Sequence, residues 1–421
     1  MSLHSLRALF LAFSAALLVS ACGGSTSASN APPPPAEGIS LVPGDSQVTV
    51  TWKETPDVEY WIFAAPNNPN LSLTNWLSTT GATYRLKASS PFVFTGLAND
   101  TPYSFFLTGR VNSGPGGAAT PTVISTPRLA GNYWTTGTTL STGSPMGLTY
   151  GSYVDTTTNT SAYAYLAVGK GGNLYKASSI DTWTSVKSTV TSDLRSAEFA
   201  FGKYVAAGAA GTIIYSTDLQ TWTQAASVTS QNINAMATTA SLLVAVGDNG
   251  TILKSTDALT WTIAATVPSA ANLYGVAYSA SGTWVAVGAA GTILTSTDGN
   301  TWTAQTSGST ANLRAAGVLS TLVNSSYTYQ YLAVGDNGTI LRSADGITWT
   351  AQNANTTVTL NAMSAINQFL VVGNSGTIIT STDGVTWTQK TSNSTADLKT
   401  LLRAANQYIA VNTAGSIISS Q

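Results

Sequence analysis

The chain has 421 residues, of which 8% are charged and 43% hydrophobic, and its net charge at pH 7 is −1. Soluble domains average roughly 25% charged residues, and so few cations exclude a basic surface for nucleic acid. The single His and single Cys are His4 and Cys22. The remainder therefore lacks the side chains for Ser-His-Asp or thiol catalysis, for Cys/His metal sites and for disulfides. We expect no metal, no other cofactor and no nucleic-acid partner.

Residues 1–21 have the pattern of an export signal, since the apolar stretch from Leu9 to Leu18 is too short for a permanent membrane span. The run Leu18-Val19-Ser20-Ala21-Cys22 that follows resembles the lipobox of bacterial lipoproteins. The resemblance implies cleavage before Cys22, lipid attachment to its sulfur and a place in the cell envelope. Gly23 after the Cys favours the outer membrane or cell surface. An ordinary secretion signal with an incidental Cys is the alternative.

Residues 22–38 form the next segment, rich in Gly and Ser at first and then containing four consecutive prolines, Pro32 to Pro35. Gly/Ser-rich chains are flexible and Pro-rich chains are stiff and extended. We expect a flexible, Pro-rich tether between the lipid and the folded body.

Residues 39–127 alternate apolar and polar residues in short segments, which predicts a β-sandwich. The predicted strands are 47–52, 58–64, 91–97, 103–111 and 122–126. Trp52 and the Gly96 to Tyr103 segment resemble the fibronectin type III family, whose tyrosine corner has this Leu-to-Tyr spacing. The resemblance implies a spacer or adhesion module with Trp52, Trp61 and Tyr103 in its core. A sugar-binding role for Trp76 stays open.

From residue 128 to 421 the chain repeats itself seven times, with a Trp-Thr pair at intervals of 38 to 49 residues. Each unit contains four strand-like runs, as in 272–279, 283–288, 291–296 and 301–305. Four-stranded units repeated radially predict a β-propeller. The last copy lacks its Trp-Thr, which stands instead at Trp134-Thr135 before the first full copy. An N-terminal strand should therefore complete the seventh blade, so the fold class is all-β: a fibronectin type III sandwich followed by a seven-bladed propeller.

Ser-x-Asp-x-x-Thr-Trp runs in five units resemble the Asp-box, or bacterial neuraminidase repeat. A carboxylate in such a turn accepts bonds from backbone amides while the Trp packs below, so we expect a structural role instead of catalysis or calcium binding. The five acids are Asp218, Asp257, Asp298, Asp345 and Asp383. Asp248-Asn249-Gly250 and Asp336-Asn337-Gly338 predict tight turns.

The full repeat, Val-Gly-x-x-Gly-Thr-Ile followed by the Asp-box, is similar to the lumenal photosystem II assembly and stability factors. That similarity implies a non-enzymatic scaffold for a protein partner, although the lipobox and sandwich depart from the family and its photosynthetic partner is not carried over. Sialidases share the Asp-box but have six blades.

A ligand site is predicted where the innermost strands begin, since a polar or aromatic residue follows an apolar anchor there in six units. We call these the channel-mouth residues: Arg195, Asn234, Tyr274, Arg314, Asn361 and Lys399. The cations Arg195, Arg314 and Lys399 are candidates to receive a carboxylate. The alternative is that all six are solvated side chains at strand starts.

Catalysis is the weaker hypothesis. Glu198 and Tyr274 would have to imitate a sialidase nucleophile pair, with Asp193 or Asp397 as acid, yet a glycosidase needs two carboxyls roughly 5–10 Å apart. Asp193 and Asp397 belong to non-adjacent units, and strand alternation turns Glu198 away from Arg195. We therefore expect a membrane-anchored, non-catalytic scaffold for a protein or peptide of the cell envelope, with a glycan-binding or glycan-hydrolysing propeller as the alternative.

Overall fold

The computed structural model describes residues 31–112, 114–140, 144–155, 158, 160–404 and 406–420. The predicted export signal and Cys22 lie outside these ranges. The described chain forms two compact units, which divide between Ala130 and Gly131. No helix within the described ranges is long and apolar enough to cross a membrane.

The first unit is built from two antiparallel sheets. Its strands are β1 (Ser40–Gly44), β2 (Gln47–Thr51), β3 (Val58–Pro66), β4 (Thr83–Ala88), β5 (Phe92–Thr95), β6 (Tyr103–Val111) and β7 (Val123–Ser125). One sheet has the order β1-β2-β5 and the other β4-β3-β6-β7. The sequence predicted five of these strands and missed β1 and β4.

Alternating residues of the two sheets form the core of this unit. Val48 and Val50 of β2 meet Ile62 of β3 and Phe105 of β6, and all four are fully buried. Trp52 and Tyr103 are also buried, as expected. The Tyr103 hydroxyl accepts a hydrogen bond from the Ala98 N–H at 3.1 Å, which ties the strand start to the preceding turn.

Trp61 differs from its predicted core position. It lies half-buried on the outer face of β3, with the Arg110 guanidinium 3.7 Å from its ring centre. Its Nε1 donates to Glu59 at 2.6 Å. Strand alternation explains the difference, because Tyr60 and Ile62 already occupy the inner face.

The Pro-rich segment packs against the first unit. Pro35 is buried, and Pro32 lies so close to Gly117 that a β-carbon there would come within 2.0 Å of the Pro32 carbonyl oxygen. Gly109 of β6 faces the same proline ring. From Ala31 onward, the predicted spacer therefore follows the surface of the sandwich.

The second unit consists of seven four-stranded antiparallel sheets, or blades. Blade 1 contains β9 (Pro145–Asp155), β10 (Thr160–Gly169), β11 (Leu174–Ala177) and β12 (Trp183–Val186). Blade 2 contains β13 (Leu194–Ala200), β14 (Lys203–Gly208), β15 (Ile213–Ser216) and β16 (Thr223–Gln224). Blade 3 contains β17 (Ile233–Thr238), β18 (Leu243–Gly247), β19 (Ile252–Ser255) and β20 (Thr262–Ile263).

The remaining blades follow the same order. Blade 4 contains β21 (Leu273–Ser279), β22 (Thr283–Gly288), β23 (Ile293–Ser296) and β24 (Thr303–Gln305). Blade 5 contains β25 (Leu313–Val323), β26 (Ser326–Gly335), β27 (Ile340–Ser343) and β28 (Thr350–Gln352). Blade 6 contains β29 (Leu360–Ile366), β30 (Gln368–Gly373), β31 (Ile378–Ser381) and β32 (Thr388–Lys390). Blade 7 contains β33 (Leu398–Ala404), β34 (Gln407–Asn412), β35 (Ser416–Ser420) and β8 (Thr135–Thr139).

The ring closes in two ways. The first strands of neighbouring blades contact each other around the whole circle, including β33 with β9. The N-terminal strand β8 pairs with the C-terminal strand β35, so that Ile418 lies opposite Thr136. The shared seventh blade that the incomplete last repeat predicted is therefore present, and closure covers the sheet edges between first and last blades.

The second strand of each blade is apolar on both faces because a blade packs on either side. In β18, Leu243 and Ala245 face blade 2 while Val244 and Val246 face blade 4, and all four are fully buried. Strands buried on both faces read as continuous apolar runs instead of alternating ones. The repeated Val-Ala-Val in the sequence is thus a product of radial packing.

A single 3-10 turn joins the second and third strands of blades 1 to 6. The predicted turn Asp248–Gly250 is one of them, with Asn249 at φ 52° and Gly250 at φ +66°. A β-carbon on Gly250 would lie 1.9 Å from the Ser269 carbonyl oxygen. The second Gly of the repeat is therefore required both by backbone conformation and by close approach of the next segment.

Candidate functional site

All six predicted channel-mouth residues occupy one structural position. Each lies at a β-bulge near the start of the innermost strand of its blade, where the pairing with the second strand shifts register. The bulges fall between 194 and 196, 233 and 235, 273 and 275, 313 and 315, 360 and 362, and 398 and 400. A bulge leaves the extra residue outside the ladder and redirects its side chain. The structure therefore places these residues in one ring at the end where the 3-10 turns lie.

The seventh member of this ring is Met146, which the sequence analysis missed. The register of β9 with β10 shifts so that Gly169 pairs with Pro145 and Val168 with Gly147, leaving Met146 at the bulge. Blade 1 departs from the repeat, because Pro145 stands where the other blades carry Leu or Ile. The only available signal was the position of the Val-Gly frame in β10.

Arg195 reaches across to the next blade. Its Nη1 donates to Asn234 Oδ1 at 2.8 Å, and Asn234 Nδ2 donates to the Leu273 carbonyl at 2.9 Å. Asn234 Nδ2 also donates to Asp248 Oδ1 at 2.8 Å. These bonds link the mouths of blades 2, 3 and 4.

Arg314 is paired within its own blade. Its Nε donates to Asp336 Oδ1, and the Arg314 side chain remains 42% exposed. Asn312 Nδ2 donates to Asp336 Oδ2 at 2.9 Å. Burial opposes these bonds, but they prevail and lower the pKa of Asp336, which therefore stays ionised beside the guanidinium.

Lys399 and Asn361 share an acceptor. Asn374 Oδ1 accepts from Lys399 Nζ at 3.0 Å and from Asn361 Nδ2 at 2.8 Å. Lys399 Nζ also lies 3.2 Å from Asp397 Oδ2. The three cations expected to receive a carboxylate are thus separate, and each already has a polar partner. Any ligand carboxylate would have to share or displace these partners.

Asp193 and Asp397, considered above as catalytic acids, bond backbone groups of the preceding blade. Asp193 Oδ1 accepts from the Gly171 N–H at 2.8 Å, and Asp397 Oδ1 accepts from the Ser375 N–H at 3.0 Å. The Ser375 bond lowers the pKa of Asp397. Asn232, Asn272 and Asn312 hold equivalent turns in the same way. The side chain at this position therefore links neighbouring blades by a hydrogen bond. Because Asp397 is ionised, it is unsuited to donate a proton.

Glu198 lies on β13, three residues beyond Arg195. The bulge at Arg195 interrupts the alternation from which we inferred that the two side chains face opposite ways. Burial raises the pKa of Glu198 to about 7. Within the described ranges no three acidic, His or Cys side chains converge as metal ligands would.

The five Asp-box carboxylates lie at the opposite end of the ring, where the third strands end. In blade 4, Asp298 Oδ1 accepts from the Asn300 and Thr301 N–H groups, each at 2.8 Å, and from Ser296 Oγ at 2.9 Å. Trp302 is buried and its Nε1 donates to the Gly299 carbonyl at 3.2 Å. Equivalent backbone bonds lower the pKa of Asp257, Asp345 and Asp383 to about 2. Each carboxylate stabilises its own turn.

Comparisons with known proteins place the second unit among β-propellers. No family model and no curated protein matches the chain. Among solved structures, one described as YCF48 bound to D1 peptide has 18% identity and a TM-score of 0.53, covering 70% of this chain and 99% of that one. The WD40 propeller domain of Doa1 has 10% identity and a TM-score of 0.52, covering 68% and 97%.

An enzyme is also among the similar structures. A catalytically inactive virginiamycin B lyase from Staphylococcus aureus with quinupristin has 11% identity and a TM-score of 0.55, covering 69% of this chain and 99% of that one. A protein described with a bound peptide and an enzyme thus share this architecture, and likeness at such identity establishes the fold without the activity. The second unit is a β-propeller.

Proposed function

We propose that this chain is a cell-envelope lipoprotein in which a fibronectin type III-like sandwich carries a seven-bladed, non-catalytic propeller that binds a protein or peptide partner at the channel-mouth residues. The strand orders β1-β2-β5 and β4-β3-β6-β7 and the Tyr103 to Ala98 bond support the sandwich assignment. The lipobox that ends in Cys22 supports the anchor.

The observation that carries the binding assignment is the variety of residues in the bulge ring. Where the fold requires a particular side chain, the same residue type occurs in blade after blade, as with the Ser and Asp of the Asp-box. The bulge position varies instead and holds five residue types in the seven blades: Met146, Arg195, Asn234, Tyr274, Arg314, Asn361 and Lys399. A mixed ring of donors, cations and an aromatic group on a rigid scaffold is suited to one specific surface.

The propeller neighbours support a protein or peptide as the ligand, since one of them is described as bound to a peptide. The charge pattern agrees. Arg314 with Asp336 and Lys399 with Asp397 present a cation beside an anion, an arrangement that can bond both the N–H and the C=O groups of a peptide.

The test replaces Arg195, Arg314 and Lys399 together by Ala and measures the partner recovered by chemical cross-linking in envelope preparations. We expect recovery to fall at least about tenfold, as for the loss of a binding contribution of 1.4 kcal/mol. A control variant, with Lys176, Lys187 and Lys254 replaced by Ala, makes the same charge change elsewhere on the propeller and should retain the partner.

Equal recovery by the two triple variants would contradict binding at the channel mouth. Sugar release by the purified chain from sialyl or β-glucan substrates would contradict the non-catalytic assignment and favour the glycan alternative. Binding on a glycan array without hydrolysis would keep a scaffold role but change the ligand class.

A further inference from the structure

Blade 5 has a longer first hairpin than blades 2, 3, 4, 6 and 7. Strand β25 has 11 residues and β26 has 10, whereas the first strands of those blades have six or seven. The third strand, β27, pairs with β26 only from Tyr331 to Val334. Residues Ser320–Gln330 therefore extend past the sheet as a two-stranded segment, which we call the blade-5 ribbon.

The tip of the ribbon stands in solvent. The cross-strand pairs Leu322–Tyr327 and Ser320–Tyr329 share one face, and the Thr321–Thr328 and Val323–Ser326 pairs share the other. Leu322 is 60% exposed and Tyr327 62% exposed, whereas Tyr329 is half-buried and packs against the core between blades 4 and 5. An exposed Leu–Tyr pair therefore lies at the end of the ring where the Asp-boxes lie.

The outer edge of the ribbon carries unpaired backbone groups. Asn324 and Ser325 have φ 48° and 65°, as in the type I′ turns of two-residue hairpins. Such a turn makes the flanking Val323–Ser326 pair hydrogen-bonded, and alternation then points the N–H and C=O groups of Tyr327 and Tyr329 away from β25. Among the described residues no strand pairs with this edge.

This edge also lacks the usual protection. Natural edge strands carry Lys, Pro or a bulge that discourages pairing with another chain. Ser320–Gln330 contains no charged residue and no proline, and the only register shift of this hairpin lies at its far end, near Leu313. A second copy of the same edge would therefore meet no like-charge repulsion within the ribbon and no proline or bulge that interrupts pairing.

We propose that the outer edge of the blade-5 ribbon pairs antiparallel with the same edge of a second copy of this chain, about a two-fold axis at Thr328. The run Tyr327-Thr328-Tyr329 reads the same in both directions, so each Tyr327 lies opposite the Tyr329 of the second copy. The outward-pointing groups form four backbone hydrogen bonds, and the tyrosines align on one face as cross-strand pairs. This dimer contact is independent of the channel-mouth residues.

The dimer should be weak on its own. One short ribbon per copy buries less than the roughly 1,200 Å² typical of stable complexes. Association is therefore expected to depend on concentration, and cross-linking is the more sensitive test.

The single Cys allows that test. The Cys22→Ser chain has no thiol, so Thr328→Cys in that background creates one thiol at the two-fold axis. Non-hydrogen-bonded antiparallel partners have α-carbons about 4.5 Å apart, within the disulfide range of roughly 4.4–6.8 Å. Thr321→Cys in the same background is the matched control, because Thr321 shares the face and exposure of Thr328 but lies on the inner strand.

On mild oxidation we expect the Thr328→Cys chain to form disulfide-linked dimers at least about tenfold faster than the control, a difference of 1.4 kcal/mol. Equal rates, or no dimer from either chain, would overturn the proposal.

Sedimentation of the thiol-free chain gives a second measurement, at concentrations from about 1 μM to 1 mM, where weak complexes form. Its average mass should rise toward the dimer. Thr328→Lys sets the ammonium groups of the two copies opposite each other at the axis and should keep the chain monomeric. Val154→Lys makes the same charge change at an exposed position of the blade 1 hairpin and should leave association intact. A thiol-free chain that is monomeric throughout would also overturn the proposal.

Discussion

Glu198 is a half-buried acid on the innermost strand of blade 2. It is the only Glu of the propeller, and burial on β13 raises its pKa to about 7. An unfolded Glu releases its proton near pH 4.3. The folded chain therefore holds one more proton than the unfolded chain between these values, and its stability falls as pH rises through about 7.

We predict that Glu198→Gln removes this pH dependence. Between pH 5 and pH 8 the free energy of unfolding of the propeller should fall further in the wild type than in the variant. The extra fall should be at most about 3 kcal/mol, because each unit of pKa difference is equivalent to 1.36 kcal/mol. Urea denaturation at the two pH values measures the difference. Glu37→Gln, an exposed change in the first unit, should have no such effect, and parallel pH profiles for Glu198→Gln and wild type would contradict the prediction.

The Asp-box carboxylates affect the pH dependence of stability in the opposite direction from Glu198. The pKa of Asp257, Asp345 and Asp383 is lowered to about 2 by backbone N–H groups, so each contributes stability that is present above the unfolded pKa of about 3.9 and lost as pH falls through about 2. Replacing all three by Asn should lower the melting temperature at pH 7. The deficit should shrink between pH 4 and pH 2 in a thermal melt followed by circular dichroism, and a constant deficit would indicate a purely steric effect.

The hydrogen-bond and ion-pair partners of the channel-mouth residues could not be predicted from the sequence. The repeat located Arg314, but its partner Asp336 follows a whole hairpin later and meets it only because β25 and β26 pair. Bulges have no signature in the hydrophobic pattern, so alternation gave the wrong basis for orienting Glu198 against Arg195. Positions were thus predictable from periodicity, whereas orientations and ion pairs required the fold.

Among the elements, the short strand β35 closes the propeller ring. It pairs with β34 on one side and with β8 on the other, so five residues join the two ends of the propeller. Its buried apolar residues are Ile417 and Ile418.

Ile418→Ala should destabilise the propeller by about 2–5 kcal/mol, because it removes a fully buried side chain from the closing sheet. Ile263→Ala makes the same chemical change on the outer strand of blade 3, where the side chain is 58% exposed, and should change stability by less than about 0.5 kcal/mol. Chemical denaturation of both variants checks the contrast. Equal effects would mean that closure by β8 and β35 is energetically unimportant.

The elements that the sequence missed have a common physical reason. Strand β4 reads Thr-Tyr-Arg-Leu-Lys-Ala and keeps few apolar side chains, because it lies at a sheet edge. Strand β1 is also an edge strand and includes Pro43. Edge strands need less burial and tolerate proline, so their hydrophobic signal is weak. The propeller strands were predicted more completely because the same strand pattern occurs in several repeats of the sequence.

At the scale of the whole molecule, the seven-fold architecture was predictable because neighbouring repeats impose the same packing on each other. The incomplete seventh repeat also predicted the closure. The unequal intervals between Trp-Thr pairs showed that the repeats differ in length, but the sequence did not show where the extra residues of each longer repeat lie. The ribbon of blade 5 extends a common hairpin without disturbing the repeat frame, and its free edge becomes visible only from strand pairing.

The proposed lipid anchor can be tested by cell fractionation. We predict that wild type fractionates with membranes and that Cys22→Ser moves it to the soluble fraction or to an uncleaved, unacylated form, because several acyl chains on one residue give stable anchoring. Labelled fatty acid incorporation, with Ser20→Ala as a control that keeps the thiol, measures the modification. Fatty acid incorporation into Cys22→Ser at the wild-type level would contradict the assignment.

The packing of Pro32 and Pro35 on the sandwich shortens the stretch of chain that could act as a spacer ahead of the first unit. Only eight residues, 23–30, separate Cys22 from Ala31, and a fully extended chain covers at most about 3.6 Å per residue. If Cys22 carries the lipid, the attachment point of the sandwich stays within about 30 Å of the lipid surface. A Gly/Ser insert in this stretch would then increase the distance from the lipid surface at which the chain can bind a partner, while leaving both folded units unchanged.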